Sequence, residues 1–379
     1  MNPVCHFELE VLPGLEPLAL EECSRHGVSH VALKEKGKLF ARFSSEHLPR
    51  LLALKLVASA HVVISVPGKR PATLRGHQAL QTTVSVVKII REATRFETET
   101  CRFVMQGSDS PEALRIREEI ARHCALQEGE PVEGEKAGEH LFRIRRSLFL
   151  DGWDVVIRIS PKPLSARKWR VTDYRGALHA NIGAAMAHLL EAHCGHLLRS
   201  QALSILDPFC GSGTVLCELM SKKYDSRKSF GGLPIELFGG DISLEALEAC
   251  RENTQALAQK SAHMQCELYE GSATQIPMAS GMFDTLVTNP PWGEAHGKAQ
   301  EIEALYEKFF QEAYRVLKAG GILMICTQAI QTMSHLLKQY ARQWERIGEL
   351  SVFNGSFRPT LYVLRKNTGY QNQDRRSEQ

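Results

Sequence analysis

From residue 203 onward the hydrophobic pattern repeats one unit: a short apolar run, a loop bearing glycine or proline, then a stretch with apolar residues at helical spacing. The candidate strands are A-L-S-I-L-D (202–207), E-L-F-G-G-D (236–241), C-E-L-Y-E-G (266–271), F-D-T-L-V-T-N (283–289), G-G-I-L-M-I-C (320–326) and R-P-T-L-Y-V-L (358–364). Parallel neighbours need a long crossover, and helices on both faces bury such strands, so this alternation predicts a doubly wound α/β sheet. In that architecture ligands bind beyond the carboxyl ends of the strands, near the point where the strand order reverses. The loops after the first, second and fourth strands are therefore where chemistry is expected.

The first loop reads L-D-P-F-C-G-S-G-T, and its Gly211 and Gly213 allow the backbone to approach a ligand and aim helix N-terminal amides at it. The second, F-G-G-D-I-S, places Asp241 at a strand end, 34 residues beyond Asp207, where a carboxylate accepts hydrogen bonds from a ribose diol. The fourth, T-N-P-P-W-G, must leave its strand as a rigid turn, because two successive prolines lack donors and fix φ. There the Asn289 side-chain carbonyl and the Pro290 backbone carbonyl can both accept from one exocyclic amino group, with Pro291 holding the turn and Trp292 stacking on the base that carries the amine. Taken singly, each loop has an ordinary explanation as a tight turn, a helix cap or a strand end. Their order and spacing set them apart. No G-x-x-x-x-G-K-[ST] occurs, which argues against a P-loop nucleotide site.

The first half of the chain reads differently. F-E-L-E-V-L-P-G-L-E-P-L-A-L-E-E-C suggests a strand, a turn at Pro13-Gly14 and a helix, and H-V-A-L-K-E-K-G-K-L-F-A-R-F suggests a hairpin turning near Lys36-Gly37. A second α+β unit is predicted from 51 to 160, with helices near 78–92 and 111–125 and an exposed Gly- and Glu-rich loop at 127–139. P-K-P at 161–163 opens a linker to residue 180, a helix over A-N-I-G-A-A-M-A-H-L-L-E-A-H leads into the α/β half, and the tail 367–379 has a disordered composition.

The 379 residues are 43% hydrophobic, ample for packed cores. The first residues include Glu8, Glu10 and Glu16 and show no basic-then-apolar leader, and the apolar stretch near 51–66 is broken by Lys55 and His61. A cytoplasmic chain with no membrane partner is expected. The ten cysteines form no C-x-x-C and the fifteen histidines no H-E-x-x-H, so reduced thiols and no metal site are expected, with Cys210 a small packing residue. Net charge is +3, yet residues 1–180 hold 27 Lys and Arg against 22 Asp and Glu, while the remainder is slightly acidic. In 143–175 nine basic residues face three acidic ones, with Trp153, Trp169 and Tyr174 interleaved. Such clustering suits a polyanion, and Arg143, Arg145, Arg146, Arg167, Lys168 and Arg170 are the candidate RNA contacts.

D-P-F-C-G-S-G-T, G-G-D-I-S and T-N-P-P-W-G together resemble the S-adenosylmethionine-dependent methyltransferases of exocyclic base amines. Within that class, L-P-G-L-E-P-L-A-L-E-E, the α+β middle unit, the helix before the first loop and F-N-G-S-F-R-P-T-L-Y-V-L resemble the THUMP-domain RNA methyltransferases, whose N2-guanine members modify the tRNA acceptor stem. The resemblance covers nearly the whole chain, with the catalytic motifs more specific than the N-terminal match. It implies a ferredoxin-like α+β region (1–50), a THUMP RNA-binding domain (51–160), a linker (161–180) and a Rossmann-like methyltransferase domain (181–366). It implies that Asp207, Phe209, Cys210, Gly211, Ser212 and Gly213 surround the methionine and ribose of the cofactor, that Asp241 binds the ribose hydroxyls and that Ile242 lies against the adenine. Asn289, Pro290, Pro291 and Trp292 would form the target-amine pocket. The third loop, E-G-S-A-T-Q-I-P, departs from the family: Ser272, followed by Ala273, stands where an acid usually meets the adenine amine. The implied partner is RNA, most readily tRNA, and the implied state a monomer. N6-adenine methylation, a relict fold that only binds RNA, and a sulfur-transfer enzyme are the competing readings; the last lacks its nucleotide-binding motif.

Overall fold

The computed structural model describes residues 3–95, 99–105, 110–129, 139–197, 201–225, 228–258, 266–293 and 299–368. Contacts divide the chain into two compact units, Met1–Ala166 and Arg167–Gln379.

The first unit runs β1 (Val4–Val11), α1 (Glu16–Arg25), β2 (Ala32–Glu35), β3 (Lys38–Arg42), α2 (Leu48–Leu52), β4 (Val57–Pro67), α3 (His77–Thr94), β5 (Thr100–Met105), α4 (Pro111–His123), β6 (Gln127–Glu128), β7 (His140–Arg146) and β8 (Gly152–Arg158). Its strands join into one sheet, in the order β2-β3-β1-β4-β8-β7-β5-β6. The expected boundary at 50/51 therefore falls inside a continuous sheet, since β1 pairs with β3 on one side and β4 on the other. Local patterning showed both groups of strands but not that they share hydrogen bonds. The period-2 alternation assigns the faces. Phe7, Leu9, Val62, Ile64, Phe142 and Ile157 are buried on one side, where α3 packs on β4. Glu8, Glu10, His61, Arg143, Arg145, Asp154 and Arg158 alternate to the other. The loop expected at 127–139 lies mostly outside the described residues.

The second unit comprises α5 (Ala180–His193), β9 (Leu203–Asp207), α6 (Thr214–Asp225), β10 (Ile235–Asp241), α7 (Leu244–Ala258), β11 (Cys266–Glu270), β12 (Phe283–Thr288), α8 (Ala299–Val316), β13 (Leu317–Thr327), α9 (Ile330–Gln339), β14 (Trp344–Ser351) and β15 (Thr360–Lys366). The sheet order is β11-β10-β9-β12-β13-β15-β14, parallel through β13 and antiparallel at the β15-β14 edge. It is the Rossmann-like arrangement expected. Every residue of β9 and β12 is buried, as befits central strands of a sheet covered on both faces. The order reverses between β9 and β12, so the chain ends of β9, β10 and β12 form one crest. The tail expected from 367 begins as ordered chain, because the Asn367 N–H donates to the Gln343 carbonyl; from 369 it lies outside the described residues. Among the described residues no helix is long and apolar enough to cross a membrane.

Candidate functional site

The crest is built around two carboxylates. Asp241, at the end of β10, receives the Gly211 N–H on Oδ2 and the Ser243 N–H on Oδ1, each at 3.0 Å, and its backbone carbonyl takes the Gly271 N–H at 3.0 Å. One residue thus ties the first, second and third loops together. Each of its carboxylate oxygens, with a single N–H donor, keeps room to accept a hydroxyl. Asp207, buried at the end of β9, accepts from Thr288 Oγ1 at 2.6 Å and from the Phe209 N–H at 3.2 Å. The Thr288 bond spans the switch point and locks the β12 loop to the β9 loop. Burial pushes the Asp207 carboxyl up to about 7, against the opposing hydrogen bonds of Thr288 and Phe209, with the Asp241 charge adding to the rise.

The two glycines of the first loop have different jobs. Gly211, at φ +51°, would project a Cβ into open space, whereas a Cβ on Gly213, at φ +79°, would come within 2.7 Å of Cys250 Sγ. Gly213 therefore serves close packing of the loop on α7, and Gly211 leaves clearance above the loop. Cys210 is buried; contact with the Cys250 thiol and burial raise its thiol pKa well above the ordinary value, as suits a packing residue. Ser212 is buried too, and its carbonyl accepts from Asn253 Nδ2 at 3.0 Å. Phe209 sets its ring edge-on to Phe309.

A methyltransferase cofactor carrying a ribose and an adenine fits this donor set. Asp241 offers acceptors for a diol, Gly211 leaves space, and Ile242 is held 73% exposed directly after Asp241, an apolar surface without a protein partner. The third loop contributes less than expected. Ser272 Oγ accepts the Thr274 N–H and bonds Thr274 Oγ1 at 2.8 Å, so its hydroxyl caps its own turn. Ala273 packs its methyl into the hydrophobic core with Phe238 and Ile276, so its side chain does not face a ligand.

At the end of β12, Asn289 is half-buried and Pro290 buried. The Trp292 indole N–H donates to Asn289 Oδ1 at 3.0 Å and more weakly to the Cys326 carbonyl at 3.4 Å. Asn289 is thereby fixed with its oxygen as acceptor, one lone pair still available. Tyr306, fully buried on α8, donates to the Pro291 carbonyl at 3.0 Å and bonds Thr327 Oγ1 at 2.7 Å. Among the described residues none donates to the Pro290 carbonyl. Asn289 Oδ1 and Pro290 O thus keep acceptor capacity. A cavity of about 400 Å³ opens beside Trp292, lined by Gly293, Ile302, Gln328 and the first turn of α9. Its walls contain neither these acceptors nor any residue of the first three loops.

Residues 167–359 match the UPF0020 family, RMKL-like, methyltransferase domain. The chain belongs to this family. The UPF0020 domain spans the crest just described and starts at Arg167, where the second compact unit also starts. The chain is 27% identical over 367 residues to a tRNA (guanine(6)-N2)-methyltransferase of Thermus thermophilus, covering 95% of this chain and 99% of that protein. It is 28% identical over 176 residues to the U6 snRNA (guanine-N(2))-methyltransferase THUMPD2 of Mus musculus, covering 46% of this chain and 28% of that one. The crystal structure of TrmN from Thermus thermophilus superposes with a TM-score of 0.65 at 20% identity, over 96% of this chain and 99% of that one, which establishes a shared fold.

The basic stretch 143–175 is not one free face. Arg167 is buried against Glu218 at 2.7 Å, with the two side chains 5% and 1% exposed, and cannot meet a phosphate. Arg170 donates to the Leu178 carbonyl and to Thr214 Oγ1, both at 2.9 Å, and lies over Trp169, which is itself buried. These contacts, with Asn253 Oδ1 accepting the Val171 and Thr172 N–H groups, fasten much of the expected linker onto the methyltransferase domain. In the first unit Arg145 pairs with the fully buried Glu8 at 2.5 Å and faces Asp154 at 3.6 Å, and Arg143 pairs with Glu10. Of the six candidate contacts, Arg146, 59% exposed over Trp153, and the exposed Lys168 keep their charges toward solvent, and Lys162 and Arg175 of the same stretch are exposed as well. Asn253, Thr288 and Tyr306 escaped sequence reading because each looks like an ordinary helix or strand residue; their partners are 15 or more positions away.

Proposed function

We propose that this protein transfers a methyl group from S-adenosylmethionine to the exocyclic N2 of a guanosine in tRNA, in the acceptor-stem region. The observation that carries the reading is the pair of acceptors, Asn289 Oδ1 and Pro290 O, beside the loops that Asp241 gathers. The full-length likeness to a tRNA guanine-N2 methyltransferase supports guanine and tRNA over their alternatives.

S-adenosylmethionine supplies an electrophilic methyl group on a sulfonium. Asp241 holds the ribose hydroxyls, and the Gly211 region leaves space for the remainder. Asn289 and Pro290 each accept one N–H of the target amine, which draws the nitrogen lone pair out of conjugation and turns it toward the methyl group. The methyl–sulfur bond would break as the nitrogen–methyl bond forms, leaving a neutral thioether, and the methylated nitrogen, now cationic and acidic, would give up one N–H proton to solvent, so no strong base is required. Rate enhancement comes from orientation and from a site that excludes water. Because a duplex hides N2, the guanosine must be extruded to reach the crest.

The first unit, a THUMP-type RNA-holding domain in this reading, fixes the distance from a tRNA end to the crest through phosphate contacts. The protein acts as a monomer in the cytoplasm. Incubation of the full chain with tritiated S-adenosylmethionine and unmodified total tRNA, followed by nucleoside mass spectrometry, tests this. Label in N2-methylguanosine is the expected result; label in N6-methyladenosine overturns the base assignment. Cofactor binding without label on any tRNA, but with label on ribosomal or small nuclear RNA, overturns the RNA class.

A further inference from the structure

The two carboxylates of the crest are held in different ways. Asp241 is half-buried and takes one N–H on each oxygen. Asp207 is 1% exposed and takes both of its donors, Thr288 Oγ1 and the Phe209 N–H, on Oδ1. Among the described residues none donates to its Oδ2. A buried carboxylate with one oxygen left bare gains little from ionising. Its neighbours add to this. Asp241, at the end of β10, brings a like charge, and β12 contributes only the neutral Thr288 hydroxyl. The thiol of Cys210 in the first loop is raised by contact with the Cys250 thiol and by burial, and those of Cys266 and the Tyr269 phenol on β11 are raised by burial, so all three are neutral. No Lys, Arg or His is among the described groups that act on Asp207.

The place of this group in the crest gives it a part in the reaction. Thr288, bonded to Asp207 at 2.6 Å, directly precedes Asn289, and Phe209, bonded at 3.2 Å, lies in the first loop. Asp207 therefore joins the loop assigned to the cofactor and the loop assigned to the amine, and the methyl group must cross between those two loops. We propose that Asp207 is neutral in the free protein, loses its proton when the sulfonium of S-adenosylmethionine enters, and regains one after the methyl group has left. The inference rests on the methyl-transfer reading above. A sulfonium carries a full positive charge, which favours an anion beside it. On transfer the sulfur keeps the electron pair of its bond to the methyl carbon and becomes a neutral thioether, while that carbon bonds the amine nitrogen. The Asp207 anion is then without a cation and takes one proton from solvent. The ionised side chain thus holds the substrate form of the cofactor, and the neutral one releases the product form. Burial already raises the Asp207 carboxyl to about 7, so the change falls in an accessible range of pH.

Calorimetric titration of the full chain with S-adenosylmethionine and, separately, with its product S-adenosylhomocysteine tests this without turnover. The two ligands share their amino-acid, ribose and adenine parts, so a difference between them reports the sulfonium. Between about pH 5.5 and about pH 7 the Kd for S-adenosylmethionine should fall about tenfold, while that for the product changes less than about twofold. Repeating each titration in buffers of different ionisation enthalpy counts protons: at the acidic end close to one should be released per S-adenosylmethionine bound and almost none per product bound. Asp207→Asn keeps an oxygen for Thr288 and Phe209 but cannot ionise, so the two ligands should then share one pH profile. Thr288→Val removes a bond that favours the anion and should move the S-adenosylmethionine transition to higher pH. The wild-type proton count and Thr288→Val decide the matter even where Asp207→Asn does not fold. Equal pH profiles for the two ligands in wild type, or a difference that persists in Asp207→Asn, overturns the inference. Either result in a protein that still binds both ligands and methylates RNA breaks this inference alone, whereas wild type that binds neither ligand removes the reading beneath it.

Discussion

The polar face of the first sheet and the crest of the second both concentrate charged and amide side chains, yet they do opposite things with them. On the first sheet Glu8, Glu10 and His61 bring their ligand atoms within 4.8 Å of one another, the spacing of a cation site. The carboxylates of Glu8 and Glu10 are already matched by Arg145 and Arg143 from β7, and Asp154 accepts from Ser65 Oγ on Oδ1 at 2.6 Å and faces Arg145 with its other oxygen at 3.6 Å. At the crest Asp241 and Asn289 have one donor per oxygen and keep further valence. Buried groups matched by opposite charge hold a fold together, while solvent-facing groups left with unused acceptors are placed to receive a ligand.

The largest test of this contrast is at the crest. Asn289→Ala should lower methyl transfer at least about 1000-fold in single-turnover assays, by loss of a positioned acceptor, with S-adenosylmethionine affinity unchanged. Loss of cofactor binding with normal turnover would reverse the roles. Asp241→Ala should weaken cofactor binding roughly 10- to 100-fold in equilibrium dialysis, because it removes the ribose acceptors and also frees three loops. On the first sheet, Arg145→Ala should cost about 2–4 kcal/mol in urea unfolding, since Glu8 and Asp154 stay buried without their guanidinium. An effect confined to RNA affinity, with stability intact, would restore Arg145 as a phosphate contact.

The regions should also differ in their response to pH. Burial lowers His61 to about 3, with the Arg143 charge adding to the fall, so it is neutral in the folded state. The unfolded chain takes up that proton below about 6.5, and the stability His61 contributes is present above that pH and lost on acidification toward 3. Asp207 has the opposite sign. Its carboxyl, raised to about 7 against an unfolded value near 3.9, contributes stability that is present at low pH and lost as pH rises to about 7. Thermal melts of His61→Gln and Asp207→Asn between pH 4 and 8 should therefore flatten opposite limbs of the profile. The smallest effect is expected from Arg146→Ala, which should leave stability within about 0.5 kcal/mol and weaken RNA binding with a shallower salt dependence.

Much of the crest was legible because its signals are local. Gly211 and Gly213 are required where the loop turns through positive φ, Asp241 closes a strand, and the two prolines end β12. The basic stretch misled because charge counted along the chain ignores what faces it: Glu8 lies 137 positions from Arg145, and Glu218 lies 51 from Arg167. The bond from Trp292 to Asn289 was not legible for a related reason. A tryptophan in sequence is an aromatic face, and only its surroundings show where its N–H points.

The amino-acid sequence by itself determined the doubly wound sheet and the order of the strand-end loops that carry the candidate acceptors, since hydrophobic period and turn chemistry act over a few residues. Tertiary structure decided which charges are neutralised, that β1 lies between β3 and β4, and that the Trp292 indole bonds Asn289. Those outcomes depend on pairings between residues far apart in the chain, and such pairings exist only once the sheets have closed.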